Sequence, residues 1–229
     1  MKVGLVSDVH ANRVALAAVL SDMPPVDALV NAGDVVGYNP WPRECVEAMW
    51  DPSAVVDSAP AGPVATVMGN HDRAVHHDTG FRFNGMAQAG VAHARAELGE
   101  EHLEWLGELP DERTLFDGRL KVVHGHPEDP DRYTYPGTFG PELLGEEEVL
   151  VLGHTHVQAA ERFEEGVVVN PGSVGQPRDR DPRAAYATLD LDAAEVELHR
   201  VAYDVEAVQE AVDAAGLPEQ VGGRLTKGR

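Results

Sequence analysis

Five times in this chain a short apolar run gives way to residues that ligate hard or borderline metal ions. Val3-Gly4-Leu5-Val6 leads to Asp8 and His10, and Ala28-Leu29-Val30 to Asp34. Val64-Ala65-Thr66-Val67-Met68 leads to Asn70 and His71, Leu120-Lys121-Val122-Val123 to His124, and Val149-Leu150-Val151-Leu152 to His154 and His156. Buried strands read as near-continuous Val/Ile/Leu runs, and open α/β sheets place their sites beyond the carboxyl ends of the strands. One such run means little, but five argue for a shared site. Carboxylate, amide oxygen and imidazole suit Mn, Fe, Zn or similar ions, and no thiolate is among them.

The spacing between the runs sets the architecture. Helical patterns over 13–20 and 42–50 separate the strands at 3–6, 28–31 and 64–68, an alternation that predicts parallel pairing with helices covering the sheet. The middle reads as two helices, 85–98 and 100–109, with Val91, Ala94 and Leu98 on one face and Leu103, Trp105, Leu106 and Leu109 on another. From Thr114 onward short strands follow one another at 120–123, 149–152, 167–170, 184–189 and 195–201. A closing helix over 205–215 stops at Gly216-Leu217-Pro218. Two sheets packed face to face with helices outside are therefore expected, within one domain spanning 1–229.

Composition narrows the function. At 229 residues and 43% hydrophobic, the chain has ample material for a core. Its apolar stretches fall far short of the roughly 20 residues that a membrane-spanning helix needs. The opening Met1-Lys2-Val3-Gly4 enters a strand without a signal-peptide layout. Cys45 is the only cysteine, which excludes an internal disulfide, and these features together predict a cytoplasmic protein. Acidic residues outnumber basic ones 39 to 18, for a net charge of −21, and only Lys2, Lys121 and Lys227 are lysines. Such a surface repels nucleic-acid backbones, so stable DNA or RNA binding is not expected. The same acid-rich, Lys-poor balance predicts a salt-adapted, halophilic protein.

Taken singly, the ligand-type segments are weak signals. Asp8-x-His10 is common by chance, and Gly33-Asp34 adds a carboxylate where glycine permits a tight turn. Gly69-Asn70-His71-Asp72 carries an amide oxygen, an imidazole and a carboxylate in succession, and Gly153-His154-Thr155-His156 sets two imidazoles at strand spacing. Together they are hard to explain as structural histidines and turn aspartates.

In this order, with Gly33-Asp34-x-x-Gly37, His124-Gly125 and Asn170-Pro171-Gly172-Ser173-Val174-Gly175, the segments resemble the calcineurin-like metallophosphoesterase superfamily. Within it the chain is similar to the compact bacterial and archaeal branch of small phosphodiesterases, which is related to the retromer scaffold subunit. The resemblance implies a four-layer α/β/β/α sandwich of two mixed sheets with a two-metal site at strand ends. It implies that Asp8, His10 and His156 hold one divalent ion and Asn70, His124 and His154 the other, with Asp34 bridging them. Mn is the expected metal, with Fe, Zn, Ni, Co or Mg as alternatives. His71 is implied to face the scissile phosphate, with Asp72 placed to orient it. His126 offers a second histidine after His124, and register favours His124.

The chemistry expected of this set is phosphodiester hydrolysis of a small phosphoester substrate. Two cations roughly 3.5–4 Å apart activate a water, orient the phosphate and stabilise charge on the attacking and leaving oxygens. Asp34 suits the bridge because a carboxylate has two oxygens and offsets part of the cations' repulsion. His71 is typed to give a proton or a hydrogen bond to the leaving group. A phosphomonoesterase or protein phosphatase of the same superfamily is the nearest alternative. Those relatives carry Asp-Arg after the Gly-Asp motif, where this chain has Gly33-Asp34-Val35-Val36-Gly37-Tyr38. A non-catalytic scaffold of the same fold is a further alternative, against which the intact ligand set and His71 weigh. Arg178, Arg180 and Arg183 are candidates for gripping a phosphate or for pairing locally with Asp179 and Asp181. Tyr38, Tyr133 and Tyr135 are candidates for lining a cleft.

Overall fold

The protein is described by a computed structural model covering residues 1–57, 59–60, 62–78 and 83–229. Strand β1 (Lys2–Val6) is followed by helix α1 (Arg13–Asp22), β2 (Ala28–Asn31), α2 (Pro42–Trp50) and β3 (Ala65–Thr66). Three helices come next, α3 (Asn70–His77), α4 (Gly85–Glu97) and α5 (Glu100–Glu108). The second half runs β4 (Glu112–Leu115), β5 (Leu120–Val123), β6 (Val149–Val151), β7 (Ala159–Arg162), β8 (Val167–Asn170), β9 (Ala184–Asp190) and β10 (Glu195–Val201). It ends in α6 (Val205–Ala214) and α7 (Glu219–Leu225).

The strands form two five-stranded sheets, ordered β10-β9-β1-β2-β3 and β4-β5-β6-β8-β7. In the first, β1, β2 and β3 run parallel out to one edge; in the second, β5, β6 and β8 run parallel in the middle. Antiparallel strands complete the first sheet on one side, through β9 and β10, and the second on both, through β4 and β7. The chain is thus α/β with two sheets, as the strand pattern predicts, and each is mixed, as the resemblance implies.

Alternation along each strand decides what the two faces bury. Val3 and Leu5 of β1, Val30 of β2, Val122 of β5, Val149 and Val151 of β6, and Val167 and Val169 of β8 share one cluster between the sheets. Their neighbours in sequence face outward. Val6, Leu29 and Tyr186 pack under α1, α2 and residues of α4 and α5, Leu16, Val19, Cys45, Met49, Ala94 and Leu106 among them. Across the molecule Leu150, Leu152 and Val168 are covered by Phe139, Leu143, Leu144 and Phe163. That outer layer is built from a loop with two single turns of 3-10 helix, Pro136–Thr138 and Pro141–Leu143.

Sequence patterning missed four elements for identifiable reasons. Strands β4 and β7 lie at the sheet edges with alternating or exposed residues, so neither carries an apolar run. Helix α7 contains Gly222-Gly223 and reads as a loop, yet Val221 and Leu225 bury against α6, so the helix at 205–214 does not close the chain. Helix α3 starts inside the Gly69-Asn70-His71-Asp72 motif. Its start signal is Asp72 at the third helical position, which accepts the Gly69 N–H at 3.0 Å.

Candidate metal centre

Every ligand-type segment leaves the carboxyl end of a parallel strand: Asp8 and His10 after β1, Asp34 after β2, Asn70 after β3, His124 after β5, His154 and His156 after β6. Hydrogen bonding continues beyond the strands and fixes these loops to one another. Asp8 N–H donates to the Gly33 carbonyl at 2.9 Å, His10 N–H to Asp34 at 2.9 Å, and Gly153 N–H to His124 at 2.7 Å.

The backbone departs from the strand spacing expected of His154-x-His156, and Asp8-x-His10 is not extended either. Asp8, His10, Asp34, His154 and His156 all take left-handed conformations, with φ of 52°, 47°, 56°, 66° and 58°. Non-glycine residues adopt this region at a cost, and such strain concentrates at functional sites. Here it turns five side chains inward from two sheets. At Gly69 a Cβ would overlap the Asp34 carboxylate, so only glycine lets the post-β3 turn approach the post-β2 loop.

Ligand atoms of Asp8, His10, Asp34 and His156 lie within 4.8 Å of one another, as do those of Asp34, His124 and His154. Asp34 belongs to both groups. Asn70 joins the second, with its Oδ1 3.2 Å from His124 Nε2. The structure therefore brings all seven predicted ligand residues together in the grouping that the resemblance implies. His126 stays outside, its Nδ1 accepting the Glu128 N–H and its Nε2 meeting Arg132.

Asp34 presents its two oxygens differently. Its Oδ1 accepts the His71 N–H at 2.8 Å, which leaves Oδ2 alone to face both groups, 3.5 Å from His10 Nε2 and 3.4 Å from His124 Nε2. The expected role of Asp72 also needs correction. Its carboxylate accepts N–H groups from Asp34 (2.8 Å), Gly69 (3.0 Å) and Val36 (3.1 Å), while His71 Nδ1 is buried with no partner among the described residues. Asp72 thus fixes the post-β2 loop against the start of α3 and leaves the His71 ring untouched.

The donor set fits cations. His10, His124 and His156 place Nδ1 against the carbonyls of Val36, Ala32 and Gln176 at 3.1, 2.7 and 2.5 Å, so each donates there and turns the Nε2 lone pair inward. His154 is reversed: its Nε2 meets the Asp131 carbonyl at 3.1 Å, leaving Nδ1 as the ligand atom. Lone pairs then face each other, His10 Nε2 and His156 Nε2 at 3.1 Å, with Asp8 Oδ1 lacking any hydrogen bond 3.2 Å from His156. Buried acceptors in such contact need positive charge between them. Without it a proton is the substitute: against burial, the Asp34 carboxylate raises His124 to about 9. Burial lowers His154 to about 3 and His71 to about 4, and pushes the Asp8 carboxyl up to about 7.

Residues 1–194 match the profile of the calcineurin-like phosphoesterase superfamily domain. The chain belongs to this superfamily. Its relatives include phosphodiesterase YfcE of Escherichia coli, 30% identical over 86% of this chain and 91% of that protein. The uncharacterized protein MJ0912 of Methanocaldococcus jannaschii is 29% identical over 99% of this chain and 98% of its own length. The crystal structure of a metallophosphoesterase from Sphaerobacter thermophilus is 37% identical, covers 100% of this chain and 99% of that one, and superposes with a TM-score of 0.81. Like its superfamily, the chain is a metal-dependent hydrolase.

The phosphoesterase centre opens into a cleft of about 180 Å³ lined by Asp34, Asn70, His71, His154 and His156. Its walls are aromatic. Phe83 stacks on His71 with centroids 4.5 Å apart, Tyr133 stacks on His154 at 3.9 Å, and Tyr38 lies 4.7 Å from His71. Tyr135 continues the stack from Tyr133 outward without lining the cleft. The three candidate arginines part ways: Arg183 pairs with Asp181 at 2.6 Å, Arg180 is outside the cleft, and Arg178 enters it. Arg224 of α7 also lines the cleft, and sequence reasoning missed it because no motif surrounds it. His76, His93, His102 and His199 are engaged elsewhere, through Leu103, Pro40, Glu47 and Thr188.

Proposed function

We propose that the chain hydrolyses phosphodiesters at a binuclear centre, with Asp8, His10 and His156 holding one divalent cation, Asn70, His124 and His154 the other, and Asp34 shared. The observation that carries this reading is the pair of buried ligand groups meeting at one carboxylate oxygen, Asp34 Oδ2. Cations held there, Mn being our assignment, polarise a phosphoryl oxygen and make a water nucleophilic. His71 belongs to neither group and lines the cleft, so its role is to meet the phosphate or its leaving oxygen. Burial keeps its ring neutral near pH 7, which suits it as a hydrogen-bond donor. Asp72 acts indirectly, by holding Asp34 and the start of α3 in register. Metal analysis of the purified protein, coupled to assays on a panel of phosphoesters, tests the reading: two ions per chain with diesterase activity is the expected result.

The relative YfcE is named a phosphodiesterase. The −21 chain repels a monoester dianion more than a diester monoanion. With Mn²⁺, a simple aryl diester is expected to show a higher kcat/KM than the matching monoester. A clear monoester preference would move the protein to the phosphomonoesterase alternative.

No helix among the described residues is long and apolar enough to cross a membrane, and we place the protein in the cytoplasm of a salt-adapted cell, folded as one domain. Self-repulsion from the acidic excess weakens the compact state when it is unscreened. Melting temperature is therefore expected to rise as salt is added through the molar range. A flat or falling trend would remove the halophilic assignment.

A further inference from the structure

Two guanidinium groups, those of Arg178 and Arg224, line the cleft. Arg178 spends its N–H groups on the Gln176 side-chain oxygen (2.8 Å) and the Tyr38 hydroxyl (3.2 Å), with its guanidinium 5.8 Å from the Tyr38 ring centroid. Half-buried Arg224 donates to the main-chain oxygen of Arg229 at 2.5 Å. Among the described residues, neither lies within ion-pairing distance of an acidic side chain, whereas Arg73, Arg119, Arg183 and Arg200 each close on one. These two instead face the same cleft as His71 and Tyr38. Burial and then the charge of Arg178 lower the pKa of Arg224, which places the two guanidiniums within electrostatic reach of each other.

Like charges kept together beside a reaction centre are relieved by an anionic ligand. A guanidinium fork matches carboxylate and phosphate alike, but two of them match the charge of a phosphate dianion better than that of a single carboxylate. The two arginines come from different parts of the chain. Arg178 follows the Asn170-Pro171-Gly172-Ser173 turn within the family-matched residues, while Arg224 lies on α7, beyond residue 194. Supplied by a separate C-terminal helix, Arg224 is suited to setting which substrate is taken and not to the bond-breaking step.

We propose that Arg178, Arg224 and the Tyr38 hydroxyl form a second anion subsite beside the metal centre, so that the preferred substrates are phosphodiesters carrying an additional phosphate group. The proposal rests on the hydrolytic reading above. The aromatic walls at Phe83 and Tyr133 then flank the organic part of the substrate between the two phosphates.

The Mn-loaded protein is assayed on thymidine 5′-(4-nitrophenyl phosphate) with and without a 3′-phosphate, following nitrophenolate release. Charge-assisted hydrogen bonds from two guanidiniums should favour the 3′-phosphorylated form by about tenfold or more in kcat/KM. Arg224→Gln should collapse that ratio toward unity, and Arg224→Lys, which keeps the charge, should restore part of it. Calorimetry supplies a readout independent of turnover: thymidine 3′,5′-bisphosphate should bind more tightly than thymidine 5′-phosphate to the wild type, with the difference lost in Arg224→Gln. Equal affinities for the two nucleotides, or a preference that survives in Arg224→Gln, would overturn the subsite. Failure to hydrolyse either diester would instead sink the hydrolytic reading, while the calorimetric comparison still decides the subsite.

Discussion

Asp34→Asn protein is expected to fold, to carry at most one metal ion where two are proposed for the wild type, and to lose nearly all hydrolysis. Asparagine tolerates the left-handed φ of 56° that Asp34 adopts, so the loop after β2 keeps its shape. The His71 N–H then decides which way the amide lies. It claims the side-chain oxygen, as it claims Oδ1 now at 2.8 Å, and turns the amide N–H₂ toward His10 and His124. Donors would face the two imidazoles in place of the carboxylate oxygen that sits 3.5 and 3.4 Å from them. The centre loses both its shared ligand and the negative charge that offsets the repulsion between two cations. Losing several kcal/mol of transition-state stabilisation corresponds to a fall in kcat/KM of about 10²–10³-fold or more. Metal content by elemental analysis, together with kcat/KM on an aryl diester, provides the check. Full occupancy with undiminished activity would refute the bridging role.

His71→Ala separates chemistry from metal binding. The ring sits in the cleft outside both ligand groups, stacked on Phe83 and edge-on to His10, and its Nδ1 is buried without a partner among the described residues. A group that assists the leaving oxygen contributes roughly 10²–10⁴-fold, so turnover should fall by that amount while both metals remain. The Asp34 contact to residue 71 is made by the backbone N–H and survives the substitution. Loss of an ion from His71→Ala would show that His71 is itself a ligand and that the roles assigned here are wrong.

Much of the site was legible in the chain because burial and ligation leave separate traces. Runs such as 149–152 are apolar at every position because β6 is covered on both faces, and a ligand-type residue just beyond such a run has few structural reasons to be there. That logic reached Asp8, His10, Asp34, Asn70, His124, His154 and His156, and register separated His124 from His126. Edge strands β4 and β7 escaped it because solvent on one side removes the apolar run, and α7 escaped because two glycines hide its helical period.

What residue types exist at the strand ends, and their order, was fixed by the sequence alone, since a strand's burial constrains its own composition. How each side chain is spent was decided only in three dimensions. Asp72 could have reached the adjacent His71 ring, but the turn at Gly69 brings three backbone N–H groups to its carboxylate instead. Arg178 and Arg183 look alike in the chain, yet one meets Asp181 and the other the cleft. Arg224 has no motif around it, and the residues with which it shares the cleft, Arg178 and Tyr38, are 46 and 186 residues away. Contacts between distant segments depend on how two sheets and a terminal helix pack, and that packing leaves no periodicity in the sequence to read.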